Sequence, residues 1–559
     1  MTRPSCPDLC LGSPLFDDSR LAALATQSGA EAAWRAALAG DALAALEHVH
    51  GNFAVGLRLD DGRVVLAVDR FAQQTLCYRV VDGALCFAER ADALREGGSD
   101  IDPQAIFDYL YFHAIPSPRT IFRGVLRLPP GHMAVFDAGR LTITPYWVPS
   151  FDPIPSAQGF DDLKTEFLTL LRGAVSTQLD GSKPACFLSG GTDSSTVAGM
   201  IGQVAGRPAA TYSIGFEAEG YDEMAFARIA ARRFGTEHHE YYVTPDDLVR
   251  SIGDVAQSYD QPFGNSSALP AFYCAQMARQ DGVTRLLAGD GGDELFGGNA
   301  RYAKQRVFGW YGQVPAALRT AVVEPLFAMP AMTHVPLLKK GVSYIEQARV
   351  PMPDRLQMYN LLLRLGIDRV LTPGFLSQVA VDGPAQHQRE VWQQARTRSA
   401  LDRTLAFDWR YTLAESDLPK VCGTTRLAGV SVGFPLLDDR LLAFSQKLPQ
   451  SYKLKGLKLR WFFKEALRGF LPDEIITKKK QGFGLPFGPW LTRHAGLQAL
   501  VRESWKSLAK RGLVRPDFLH DLMDKQLAEH PGYYGEMVWI LLMLEQWLRK
   551  HAPEFRIAR

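Results

Sequence analysis

From Phe53 to Thr144, short apolar runs alternate with polar positions and break at turn residues. Phe53 to Leu59, the turn signal Asp60-Asp61-Gly62, and Val64 to Val68 predict a β-hairpin. Leu76 to Val81, Asp82-Gly83 and Leu85 to Ala88 predict a second. Met133 to Phe136, Asp137-Ala138-Gly139 and Leu141 to Thr144 predict a third. Residues 1–150 therefore read as one domain rich in antiparallel strands, ending near Tyr146-Trp147. The stretch Val148 to Gln158, with its prolines, predicts a linker.

From Phe160 the period lengthens: Leu163, Phe167, Leu170, Leu171 and Val175 recur at helical spacing. Ala185 to Leu188 is a short apolar run that enters Ser189-Gly190-Gly191 and leaves into Ser195 to Met200, which reads as strand, glycine turn, helix. Ala210 to Phe216 and Arg285 to Ala288 are similar runs, separated by helical segments such as Asp222 to Phe234. Strands alternating with helices predict a parallel sheet covered on both faces. Beyond about residue 300 the pattern is mostly helical, so 151–559 reads as an α/β domain with a helical C-terminal part.

Composition narrows the class of function. Hydrophobic residues make up 47% and charged residues 22% of the 559, a normal globular balance, and the net charge is +2. A balance so close to neutral gives no bulk attraction to nucleic acid or membrane. Seven cysteines without ligand-like spacing predict reduced thiols and a cytoplasmic protein. No basic-then-apolar leader and no run long enough to span a bilayer is visible.

Ser189-Gly-Gly-Thr-Asp-Ser-Ser195 carries the most chemistry. Two glycines allow a tight turn with N–H groups pointing inward where a helix starts, which favours a phosphate or pyrophosphate. Ser189, Ser194 and Ser195 add hydroxyls without bulk, and Asp193 beside phosphates implies an intervening Mg²⁺. The loop lacks a Gly-Lys-Ser/Thr ending and so differs from that of common NTPases. A serine-capped turn without ligand is the competing reading. Asp290, Asp293 and Glu294 crowd a glycine-rich turn after an apolar strand, either shared with a cation or simply solvated. Lys478-Lys-Lys480 precedes a loop with two glycines and reads as surface charge or as a source of one catalytic lysine. Adjacent His238 and His239 on a strand face opposite ways and do not chelate one ion.

These stretches together resemble the asparagine-synthetase superfamily, whose members split ATP into AMP and pyrophosphate. Ser189 to Ser195 resembles its pyrophosphate loop. Ser213-Ile-Gly-Phe216 with Tyr221-Asp-Glu223, Gly235 to His239, Ala288 to Gly298, and Lys480-Gln-Gly-Phe-Gly484-Leu-Pro486 follow in the family's order. Gly51-Asn-Phe-Ala54 and Pro129-Pro-Gly-His132 extend the likeness into the N-terminal half. The resemblance implies an Ntn-hydrolase-like, glutaminase-type first domain and a PP-loop, adenine-nucleotide α-hydrolase-like second domain. It implies that Leu188, Ser189, Gly190, Gly191, Asp193, Ser194, Ser195, Ile214 and Gly289 hold ATP. Asp193 and Asp293 would hold Mg²⁺, with Lys480 and Asp290 acting on the reacting groups. A place for Arg426 or Lys420 near substrate carboxylates is the less favoured reading of each. Lys478 and Lys479 are expected on the surface.

The chain also departs from the family. Glutamine-dependent members begin Met-Cys; here residue 2 is Thr, and the Arg, Asn-Gly and Asp elements that grip glutamine are missing. The first domain is therefore expected to be a truncated packing platform without glutaminase activity. Where asparagine synthetases carry Asp-Arg-Met-Ser and Glu-Val-Arg-x-Pro-Phe-Leu-Asp, this chain has Cys422-Gly-Thr-Thr425 and Ser431 to Asp438. Free aspartate is thereby put in doubt as the acceptor. Three functions compete: amidation of a small carboxylate by ammonia or a partner's nitrogen, ring closure on a peptide or other substrate as in lasso-peptide cyclases and β-lactam synthetases, and a nucleotide-binding scaffold. No nucleic-acid or membrane partner is expected; a homodimer is allowed.

Overall fold

The computed structural model describes residues 7–95, 100–152, 159–327, 336–479 and 484–557. Its N-terminal part is a layered, mostly antiparallel assembly. β1 (Leu9–Phe16), β2 (Val49–Arg58), β3 (Val64–Val68), β7 (His132–Asp137) and β8 (Arg140–Pro145) form one sheet in that order. β5 (Ala84–Ala88), β4 (Cys77–Val81) and β6 (Leu126–Arg127) form a second. Alternation along β2 and β3 sorts side chains between two cores. Phe53, Val55 and Leu57 pack with Trp34 and Leu38, while Ala54, Leu66 and Val68 pack with Tyr78, Leu85 and Phe87. The three predicted hairpins are all present.

The hairpin pattern left out β1 and four helices: α1 (Ser19–Ser28), α2 (Ala30–Leu38), α3 (Ala42–Glu47) and α4 (Pro103–Phe112). Asp18 and Asp41 cap α1 and α3 by accepting the N–H groups two and three residues on. α4 opens with Asp102 as cap and Pro103 in its first turn, and nearly every residue of it is buried.

A further sheet is parallel throughout, in the order β11 (Glu237–Val243), β10 (Ala210–Phe216), β9 (Ala185–Phe187), β12 (Arg285–Leu287), β13 (Ser431–Gly433). Interior strand β10 is buried along its whole length because both faces of the sheet are covered there. Ala185, Tyr212, Ile214 and Leu286 face one core with α8 (Pro245–Ser258) and α9 (Ala268–Gln280). Cys186 and Leu287 face the other, with α5 (Phe160–Gln178), α6 (Thr192–Ala205) and α7 (Met224–Phe234). The remainder is mostly helical and ends in a helix over Pro531–His551.

The two parts share a core. Ile106, Phe107 and Leu110 of α4 cluster with Trp539, Ile540 and Trp547 of the C-terminal helix, and the Tyr109 hydroxyl donates to the Ile540 carbonyl at 2.8 Å. Among the described residues no helix is long and apolar enough to cross a membrane, and no cysteine is in a disulfide.

Candidate active site

The glycine turn sits at the carboxyl end of the parallel sheet, where open α/β folds bind ligands. β9 ends at Phe187 and α6 starts at Thr192, and the Leu188 N–H donates to the Tyr212 carbonyl at 2.9 Å. Ser189 is exposed. The Ser194 hydroxyl accepts the Ser189 N–H at 3.1 Å and lies 3.0 Å from the Ser189 hydroxyl. The Gly191 N–H donates to the Ser189 hydroxyl at 3.3 Å. Gly190 has φ +69, and a Cβ there would overlap the backbone of Phe226 and Ala227, so α7 packs directly under the turn. Ser195 is fully buried, and its hydroxyl lacks a partner among the described residues. β10 runs past the end of β9, which brings buried Ile214 to the level of the loop.

The acidic turn meets this loop edge on. A Cβ on Gly289 would come within 2.7 Å of the Ser194 nitrogen, and one on Gly292 would overlap the Asp193 carboxylate. Gly291, at φ +102, lies against Leu437. Asp193 and Asp293 are thereby brought together and share one cation, the guanidinium of Arg460. Burial acts to lower the Arg460 pKa, but Asp193 and Asp293 raise it overall. Sequence reasoning missed Arg460: it follows a short hairpin, Leu454–Lys455 with Lys458–Leu459, far along the chain from both loops. Its left-handed φ of +52 has no signature in the residue type.

Asp290, in the same turn, has Lys420 3.5 Å away. Lys420 is also 3.1 Å from Asp417. Burial lowers the lysine's pKa, yet the two acids, Asp417 first, lift it well above the usual range, so it stays charged. Burial raises the pKa of Asp290, which Lys420 opposes and Asp417 reinforces. Lys420, for which a place near the substrate's acid groups is the less favoured reading, thus stands beside a candidate reacting residue.

Lys480 lies outside the described residues. Lys478, expected on the surface, is instead 8% exposed at its side chain, 2.7 Å from Glu223 and 4.4 Å above the Phe226 ring. The acid at the start of α7 and the aromatic face beside it draw the lysine in. Arg426 pairs with Glu89 of the N-terminal part. His238 lies 3.0 Å from the Thr211 hydroxyl, whereas His239 stacks on Tyr212, so the two diverge as alternation requires.

Two carboxylates and a hydroxyl offer only oxygen donors, the chemistry Mg²⁺ takes, and a guanidinium already stands between them as a cation. Among the described residues no cluster of three or more ligating side chains occurs. An ion held by the two carboxylates alone would take phosphates and water to complete its shell.

A cleft of about 580 Å³ opens between the two parts. Asn52 and Gln73 line one wall, and Cys422, Thr425, Arg426 and Ser431 the other.

The asparagine synthase family model matches residues 166–549, and a glutamine amidotransferase domain model matches 19–147. The chain belongs to the asparagine synthase family. Asparagine synthetase [glutamine-hydrolyzing] 1 of Bacillus subtilis is 23% identical over 490 residues, covering 86% of this chain and 74% of that protein. A putative asparagine synthetase [glutamine-hydrolyzing] of Mycobacterium tuberculosis is 27% identical over 463 residues, covering 80% and 68%. Amidase chyE of Penicillium rubens is 24% identical over 517 residues, covering 83% and 74%. Membership of the asparagine synthase family makes this an ATP-dependent amide ligase at family level.

One consequence is local. Gly292→Ala places a methyl group on the Asp193 carboxylate and 2.8 Å from the Arg460 guanidinium. Overpacking of this kind costs about 1–3 kcal/mol. The variant is expected to lower the unfolding midpoint in urea and to reduce ATP turnover about 10²-fold; an unchanged variant would show that the two loops are not in contact.

Proposed function

We propose that this protein adenylates a substrate carboxylate and joins the acyl group to ammonia or an amine, releasing AMP and pyrophosphate. The observation that carries the reading is the meeting of the glycine turn and the acidic turn, with Asp193 and Asp293 facing one cation position. Backbone N–H groups at the start of α6 and the Ser189 and Ser194 hydroxyls would receive the phosphates. Mg²⁺, held by Asp193 and Asp293, would neutralise charge on the leaving pyrophosphate. A carboxylate oxygen attacks the α-phosphorus, and the bond to the pyrophosphate oxygen breaks with its electron pair. Lys480 would stabilise that leaving group; the burial of Lys478 against α7 supports this, since Lys478 stands over Phe226, which lies against Gly190. The amine then attacks the acyl carbon, AMP departs, and Asp290, oriented by Lys420, orients the amine and takes its proton. Water has to be excluded, because it would hydrolyse the acyl-adenylate.

The same reading takes 151–559 as a PP-loop, adenine-nucleotide α-hydrolase-like domain and 1–150 as an Ntn-hydrolase-like platform. Strand order and the turn after β9 support the first assignment, the layered antiparallel sheets the second.

A second reading, ring closure within one larger substrate, is favoured by the cleft. Its lining includes Cys422, Thr425, Ser431 and Val432, from the two segments that depart from asparagine synthetases.

The test is ATP–pyrophosphate exchange with a panel of carboxylates, with ammonia, amines or glutamine added in turn. Asp290→Asn is expected to retain exchange within about threefold while losing amide product about 10²-fold. A protein that binds nucleotide yet never releases AMP with any acceptor would refute the reading in favour of a scaffold.

A further inference from the structure

Arg460 is built into the acid pair with unusual care. Its N–H donates to the Gly297 carbonyl at 3.1 Å, fixing it against the acidic turn in a backbone conformation that costs a side chain energy. Nη1 donates to Thr192 Oγ1 at 2.9 Å, Asp193 Oδ2 at 2.8 Å and Asp293 Oδ1 at 2.7 Å. Nη2 donates to Asp193 Oδ1. Both oxygens of Asp193 are therefore engaged by the guanidinium. The side chain is 5% exposed and lies 4.2 Å over the Phe463 ring. Its Nε is buried without a partner among the described residues. A Cβ at Gly292 or at Gly298 would collide with this arrangement.

We propose that Arg460 is a resident cation: it fills the metal position of the acid pair while nucleotide is absent, and yields it to Mg²⁺ when phosphates arrive to receive the guanidinium. The inference rests on the reading of Asp193 and Asp293 as the metal pair. Two close carboxylates repel unless a cation is shared, and a planar guanidinium serves them bidentately. Mg²⁺ requires the same oxygens in near-octahedral geometry, so both cations do not occupy them at once. Expelling the guanidinium alone would leave a buried charge uncompensated, which is costly. Lys464, one helical turn on and close enough for Arg460 to depress its pKa after burial has done so, offers no relief. An incoming triphosphate does. Metal and nucleotide are therefore coupled through Arg460, and by linkage each strengthens the other equally.

The test measures Mn²⁺ binding to the full chain by electron paramagnetic resonance, with and without a non-hydrolysable ATP analogue. Wild type is expected to bind Mn²⁺ weakly alone and about tenfold more tightly with the analogue. Arg460→Met is expected to bind Mn²⁺ alone about tenfold more tightly than wild type and to lose most of the analogue's effect. Arg460→Lys, which keeps a charge but not the fork, should fall between them, and it decides the matter if the methionine variant does not fold. An arginine with only a structural role would give variants of weaker metal affinity, and that outcome overturns the proposal. Equal affinities in all three proteins without nucleotide overturn it too, leaving the metal pair intact. No Mn²⁺ bound by any protein under either condition would bring down the metal-pair reading itself.

Discussion

Asp193→Asn is expected to lower ATP–pyrophosphate exchange about 10³-fold, equivalent to ~4 kcal/mol of lost transition-state stabilisation. Three roles converge on this carboxylate. It stands in the first turn of the helix after the glycine loop, it balances Arg460 with both oxygens, and its carboxylate packs against Gly292 of the acidic turn. An amide in its place keeps the shape and removes the charge, so the loss is electrostatic rather than steric. The unfolding midpoint should move far less than the rate, because Asp293 still faces the guanidinium at 2.7 Å. Exchange reduced less than about tenfold would remove Asp193 from the machinery.

Glu415→Ala is expected to destabilise the whole chain by about 3–5 kcal/mol, the usual outcome when one partner of a buried ion pair is removed. Glu415 is 4% exposed at its side chain and pairs with Arg410 and with Arg127, the latter at 2.6 Å. It also accepts the Ser117 hydroxyl at 2.8 Å and the Ser117 N–H at 3.1 Å. Ser117 and Arg127 belong to the N-terminal part, so the alanine variant leaves two half-buried guanidinium groups at the seam without their carboxylate. Burial would raise the pKa of Glu415, but Arg410, Arg127 and Ser117 together hold it below the usual value. A folded-state pKa depressed in this way contributes stability that is complete above the unfolded value, near pH ~4.3, and is lost as pH falls through the folded value. Wild type and Glu415→Gln should therefore differ in thermal midpoint at pH 7 and converge in acid. A midpoint unaffected by Glu415→Ala would mean that the seam is held by other contacts.

Much of the site was legible because it is written in local chemistry. Ser189 to Ser195 and Gly289 to Asp293 join glycines, which permit tight turns, to acids that have no reason to crowd unless a cation is near. The three hairpins were legible for a similar reason: Gly62, Gly83 and Gly139 all take positive φ, as their turns require. What was not legible depends on distance. Arg460 reaches its acids across 267 and 167 residues, and nothing in its neighbours' types marks it. Lys478 looks like one of three solvated lysines until Glu223 and Phe226 are seen beside it. α4 reads as an undistinguished apolar stretch, because its periodicity is erased by burial on every side. α1 and α3 were within reach, since Asp18 and Asp41 each precede an alanine- and leucine-rich run, but the strand pattern dominated the reading of that region.

The partnership of α4 with the last helix bears on how the chain comes to be folded during synthesis. Tyr109 bonds to Ile540, a residue that leaves the ribosome 431 positions later. Until Pro531–His551 emerges, the core that buries Phe107 and Leu110 lacks Trp539, Ile540 and Trp547. Contacts that close over so long a span form slowly, because the intervening chain has to be ordered first. The nascent protein thus carries this core incompletely covered until that helix is made, and a chain stopped before it is the species expected to be captured by chaperones or cleared by proteases.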